Sequence, residues 1–227
     1  MTSDNEPLAN VYKVLIVDDH PIVRWGLREL VAAEADLEVC GEAETLPDAL
    51  AMVEETKPDV VVVDLTLKDG HGLDLVQKIK ASGNKTKMLV SSMHDESLFA
   101  ERAIRAGASG YISKQEPPGT IIGALRQVLA GKVYLSSRMS DRLLHRMSDG
   151  ETLEKSPIES LSDRELEVFE MIGAGRATKQ IAQSLGLSTK TIDTYRENIK
   201  AKMNLRNSSE LSRHATQWVL EGGKASE

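Results

Sequence analysis

The sequence predicts an α/β domain, a doubly wound five-stranded parallel sheet, followed by a smaller all-α domain built on a helix-turn-helix. Three observations carry this. Short, nearly unbroken apolar runs recur through the first 131 residues with helical patterns between them. A polar stretch, DGETLEKSP, interrupts the chain at 149–157, and from 158 onward the apolar spacing is helical throughout. A chain of 227 residues can bury two modest cores.

The strand runs are Val14–Val17, Leu37–Cys40, Val60–Val63, Met88–Val90 and Tyr111–Ile112. Strands buried on both faces read as continuous apolar segments, as in a parallel sheet. Helical patterns lie between and after them at Ile22–Ala32, Leu46–Glu55, Gly72–Ala81, Ser97–Ala106 and Thr120–Ala130. The first domain is therefore set at 11–131. Residues 132–157 form a linker whose first part, 132–148, has the pattern of an amphipathic helix with Leu143, Leu144 and Met147 on one side. The second domain spans 158–221.

Charge is uneven. Residues 1–157 carry the whole net charge of −7, whereas 158–227 balance ten acidic against ten basic side chains, so nucleic-acid binding has to rest on motif. Cys40 is the single cysteine, which excludes an intramolecular disulfide, and its apolar neighbours predict a buried small hydrophobe. No stretch approaches the roughly 18 apolar residues of a membrane span. The opening MTSDNEPLAN lacks the basic region and apolar core of a signal peptide. A cytoplasmic, reducing setting is the expectation.

In an open parallel sheet, ligands bind beyond the carboxyl ends of the strands. Asp18 and Asp19 follow the first run, Asp64 the third, Ser91 the fourth and Lys114 the fifth. One such Asp is usually a turn residue or helix cap; joint placement on successive strand ends points to a site. Clustered carboxylates invite a hard divalent cation, Mg²⁺ above all, which would leave Asp64 ionised as a nucleophile toward phosphorus. Lys114 would add a point charge to the phosphoryl group and Ser91 a hydroxyl donor. His20 beside the acid pair reads as a helix cap or edge contact, because one imidazole among carboxylates is no transition-metal site.

With VLIVDDHP, the VVVVD run, Ser91 and GYISK in place, residues 11–131 resemble the receiver domain of two-component response regulators, whose fold is flavodoxin-like. The resemblance implies that Asp64 is the phospho-acceptor and that Asp19, Asp64 and the Thr66 backbone carbonyl hold Mg²⁺, with Asp18 acting through water. It implies a sensor histidine kinase as phosphoryl donor, and a protein that catalyses only its own phosphoryl transfer and autodephosphorylation. Ser91 and Tyr111 are then the switch pair. Two positions depart from the pattern: Lys68 and Gln115 stand where prolines are common.

In the second domain, Ser162 and Glu165 form a capping box ahead of an apolar face at Leu166, Val168, Phe169 and Ile172, and Gly173 with Gly175 ends the helix. A short helix, ATKQIAQSL, precedes a turn at Gly186 and a longer helix from Ser188 with Ile192, Tyr195, Ile199 and Met203 inward. That is a helix-turn-helix, although a small protein-binding bundle would share the geometry.

LSDRELEVFEMIGAGRATKQIAQSLGLSTKTIDTYRENIKAKMNL resembles the DNA-binding domain of LuxR/FixJ/NarL regulators. This implies double-stranded DNA as a partner, Ser188–Met203 in the major groove, and a last helix near Ser209–Leu220 serving a homodimer. Lys179, Lys190 and Thr191 would touch phosphates, with Arg196, Lys200 and Lys202 adding positive charge. Asp193, Thr194, Glu197 and Asn198 would face the bases. Acidic Asp193 and Glu197 stand where basic residues are frequent, and Ser208 replaces an expected arginine.

The alternatives are a receiver-controlled regulator acting by protein contact, or one whose DNA binding ignores phosphorylation. An aspartate-nucleophile phosphohydrolase would need D-x-D after the first strand; His20 occupies the second Asp position.

Overall fold

The computed structural model describes residues 11–141 and 157–220. Five strands, β1 (Tyr12–Val17), β2 (Leu37–Ala43), β3 (Val60–Val63), β6 (Lys87–Ser92) and β7 (Gly110–Ser113), form one parallel sheet in the order β2-β1-β3-β6-β7. Helices α1 (Pro21–Ala32), α2 (Leu46–Thr56), α3 (Gly72–Ala81), α4 (Glu96–Ala106) and α5 (Thr120–Leu129) cover its faces. All four β3 valines are buried, as β-branched residues on a two-sided core should be.

Alternate strand residues feed two apolar layers. Val14, Ile16, Val60, Val62 and Ile112 meet Leu27, Val31, Ile121 and Leu125 of α1 and α5. Leu15, Val17, Val61, Val63 and Val90 meet residues of α2, α3 and α4, among them Val53, Val76 and Phe99. The chain reverses its winding between β1 and β3, which places a ligand crevice at their carboxyl ends.

A two-residue antiparallel hairpin, β4 (Thr66–Leu67) with β5 (Gly70–His71), follows β3 and has no counterpart in the sequence reading. It folds back because Gly72 has no side chain: a Cβ there would lie 2.0 Å from the Asp64 carbonyl oxygen, while its N–H donates to the Leu65 carbonyl at 2.7 Å.

The helix expected over 132–148 is shorter at its start. Residues 132–136 are non-helical, Tyr134 bridges Gly110 in parallel, and helix begins at 137. The Tyr134 carbonyl accepts from the Tyr111 N–H at 2.9 Å, a backbone approach that a side chain at Gly110 would block. Leu143, Leu144, Met147 and the linker as far as 156 lie outside the described residues. Cys40 is half-buried rather than buried, because β2 is the sheet edge.

The second domain comprises α6 (Asp163–Gly173), α7 (Thr178–Ser184), α8 (Thr189–Lys202) and α9 (Ser208–Leu220). The Ser162–Glu165 capping box forms as expected, and Lys202 at the end of α8 closes on Glu165 at 2.6 Å. Ser188 caps α8 by accepting from the Thr191 N–H. Trp218 of α9 is buried against Phe169, ring centroids 6.0 Å apart, whereas Trp25 of α1 is 53% exposed. Apolar residues of α6–α9 continue the layer beneath α2–α4.

Candidate functional site

The strand ends bring the predicted polar residues together. Ligand atoms of Asp18, Asp19, His20 and Asp64 all lie within 4.8 Å of one another. Lys114 reaches across from the end of β7, its Nζ 2.7 Å from Asp18 Oδ2 and 2.7 Å from Asp64 Oδ2. Asp18, Asp64 and Ser91 are buried. The polar backbone of Thr66 helps to hold the Asp64 carboxyl down. Burial pushes the Asp64 carboxyl up to about 6, against the pull of Lys114 and with the help of Asp18. Burial works against the Lys114 ammonium, but the Asp64 and Asp18 carboxylates outweigh it and raise its pKa.

The donor set is oxygen-rich. Asp19 Oδ1 is buried and accepts no well-formed hydrogen bond, its close contact being His20 Nδ1 at 2.6 Å. Three carboxylates with ligand atoms within 4.8 Å of one another fit a hard cation. His20 does occupy the N-cap of α1, yet its side chain makes no cap bond; the ring leans on the acid pair instead.

Ser91 and Lys114 also line a cleft of about 370 Å³ between α1 and α5, whose walls include Ile22, Leu30, Met93 and Ile121. Tyr111 is wholly buried, and its hydroxyl donates to the His94 carbonyl at 2.8 Å. Lys68 pairs with Glu44, which also holds the buried Arg24 at 2.5 Å. Arg24 in turn donates to the Asp18 carbonyl at 2.7 Å. This support for the acid pair was not legible in the sequence, because a lone arginine in an amphipathic helix carries no signal of burial.

Equally absent from the sequence reading is a polar contact between the two domains. Thr66 Oγ1 donates to Glu167 Oε1 at 2.8 Å, and His94 Nε2 lies 3.1 Å from that hydroxyl and 3.2 Å from Glu167 Oε1. His94 Nδ1 is 2.5 Å from Glu170 Oε2, and the Asp95 N–H donates to Glu170 Oε1. Arg164 bridges the Glu167 carboxylate at 2.5 Å and the Gly70 carbonyl at 2.8 Å. Arg102 of α4 grips Asp163 and the Leu161 carbonyl. Burial opposes the His94 charge, but carboxylates on both ring nitrogens raise its pKa to about 10. Burial likewise opposes ionised Glu167, while His94 and Arg164 bring it down to about 2.

On the second domain, Lys179, Lys190, Asp193, Thr194, Glu197 and Asn198 are exposed. Thr191, Arg196 and Lys200 are half-buried. Thr191 is drawn to Ser188, their hydroxyls 2.8 Å apart, and Lys200 pairs with Glu197 at 2.9 Å.

Residues 14–126 match the response regulator receiver domain, and residues 159–215 match the luxR family of bacterial regulatory proteins. The chain is 34% identical over 207 residues to the response regulator UvrY of Escherichia coli, covering 91% of this chain and 94% of that one. It is 33% identical over 193 residues to a nitrate/nitrite response regulator protein homolog of Haemophilus influenzae, covering 85% and 90%. The structure of RcsB from Salmonella enterica serovar Typhimurium bound to promoter rprA with phosphomimetic BeF3− superposes with a TM-score of 0.60 at 25% identity, covering 91% of this chain and 99% of that one. The chain belongs to the response regulators, joining a receiver domain to a LuxR-type regulatory domain.

Proposed function

We propose that the protein accepts a phosphoryl group on Asp64 from a sensor histidine kinase and, in response, binds double-stranded DNA as a homodimer to regulate transcription. The observation that carries this is the convergence of Asp18, Asp19, Asp64 and Lys114 at the β1/β3 switch point of a chain that ends in a helix-turn-helix. RcsB, a structural relative, is seen on a promoter with a phosphoryl mimic.

Asp64 attacks phosphorus, the bond from phosphorus to the donor imidazole breaks, and the departing nitrogen keeps the electron pair. Lys114 is placed to move from Asp18 onto the incoming oxygens, and Ser91 to donate to one of them. Asp19, Asp64 and the Thr66 carbonyl would hold Mg²⁺, with Asp18 contributing through water. When bound there, the ion would supply charge neutralisation for the phosphoryl oxygens. The pocket turns over only its own acyl phosphate, and the setting is cytoplasmic.

On DNA, Lys179, Lys190, Thr191, Arg196 and Lys200 are the phosphate-side candidates, while Asp193, Thr194 and Glu197 face the bases. Exposure of most of this face in the docked arrangement favours one second reading, DNA binding that ignores phosphorylation. Selection of bound duplexes from a random library, with Mg²⁺ and with or without beryllofluoride, separates the two. A two-fold symmetric motif enriched only with the mimic and with intact Asp64 supports the first reading. Equal enrichment in every condition supports the second.

A further inference from the structure

Glu167 belongs to the second domain, yet it ends inside the first. Its carboxylate is fully buried, a costly placement unless every oxygen is satisfied. Thr66, His94 and Arg164 satisfy it. The partners are specific to the pocket. Thr66 belongs to the hairpin that follows Asp64, and its backbone helps to hold the Asp64 carboxyl down. His94 lies three residues beyond Ser91, with its N–H on the Ser92 hydroxyl and its carbonyl held by the Tyr111 hydroxyl. Glu170, one helical turn on, fixes the other His94 nitrogen and the Asp95 N–H. Arg164 holds the far strand of the hairpin through Gly70. Helix α6 thus grips both loops that flank the acceptor aspartate.

We propose that Glu167 is a positioning residue of the phosphoryl site, holding the Thr66 and His94 loops where they oppose the phosphorylated state. The inference rests on the reading of Asp64 as acceptor. For Ser91 to approach a phosphoryl oxygen, segment 92–94 has to follow, and it is tied through His94 to Glu167 and Glu170. For Asp64 to present an oxygen to phosphorus, the hairpin that follows it has to adjust, and the Thr66 side chain in that hairpin is anchored to Glu167. Linkage makes the effect reciprocal: the Glu167 contact with these loops weakens binding of a phosphoryl mimic by the same factor by which the mimic weakens that contact.

The test is equilibrium binding of beryllofluoride with Mg²⁺ to the full-length chain, followed by fluorine NMR. Glu167→Gln is expected to tighten binding about 5-fold or more, within the usual range of coupling between sites. Thr66→Val, which removes the tethered hydroxyl and leaves α6 intact, should give a similar gain, and the double variant should gain nothing further. Arg102→Ala, which loosens the domain contact away from these loops, should gain much less. Unchanged affinity in Glu167→Gln and Thr66→Val, additive effects, or an equal gain from Arg102→Ala would overturn the positioning role. Failure of the unaltered chain to bind beryllofluoride would instead overturn the reading of Asp64, and this inference with it.

Discussion

Lys114 is the side chain on which the pocket's electrostatics turn. Its ammonium sits 2.7 Å from each of two buried carboxylates that would otherwise repel. Lys114→Gln removes the strongest force holding Asp64 down, so the Asp64 carboxyl should titrate well above its value of about 6. Carbon-13 NMR of the carboxyl in metal-free protein reads this directly; an unchanged or lower titration point would refute the account. The acid pair, Asp64, Ser91 and Lys114 were all legible because each directly follows a buried strand, where sequence order alone fixes position. Arg24 was not. Its burial depends on reaching the Asp18 carbonyl and Glu44, and neither contact leaves a mark on the helical pattern.

At the scale of elements, two short devices set the geometry. Gly72 lets the hairpin after Asp64 close; Gly72→Ala would drive a Cβ into the Asp64 carbonyl. A loss of about 1–3 kcal/mol in denaturant unfolding is expected, together with weaker phosphoryl-mimic binding if Asp64 takes the phosphoryl group as proposed, since the displaced backbone is that of Asp64 itself. The Ser162–Glu165 capping box starts α6 and recruits Lys202 from α8. Ser162→Ala should cost about 1 kcal/mol, seen as a lower unfolding midpoint of the second domain. The box was legible as S-x-x-E before an apolar run, and strands and helices were legible from their periods. The start of the helix after α5 was not, because a non-local bridge between Tyr134 and Gly110 overrides the local amphipathic pattern.

At the scale of the whole molecule, the domain contact should depend on pH. His94 has a folded pKa of about 10, above its ordinary 6.5, so its contribution is full below 6.5 and is lost as pH rises through 10. Glu167 is depressed to about 2 from 4.5, so its contribution is present above 4.5 and lost as pH falls toward 2. Arg164 and Glu170 are the charged groups that pair with them, and burial keeps the facing His71 low. Docking should therefore be tightest between 4.5 and 6.5 and loosen steadily on the alkaline side. Small-angle scattering should show the radius of gyration growing between about pH 6.5 and 10; a constant radius would rule the histidine out as the determinant. The contact itself was illegible in sequence. His94 and Glu167 are far apart along the chain, and charges on amphipathic helices ordinarily face water.

The two tryptophans give the molecule an optical asymmetry. Trp25 stands in solvent on the first domain, while Trp218 is packed against Phe169 in the second. A soluble quencher should reach the first and spare the second, so the unquenched, blue-shifted emission belongs to the regulatory domain alone. Each half of this protein therefore carries its own lamp, and the folding of one can be followed in the presence of the other without attaching a dye.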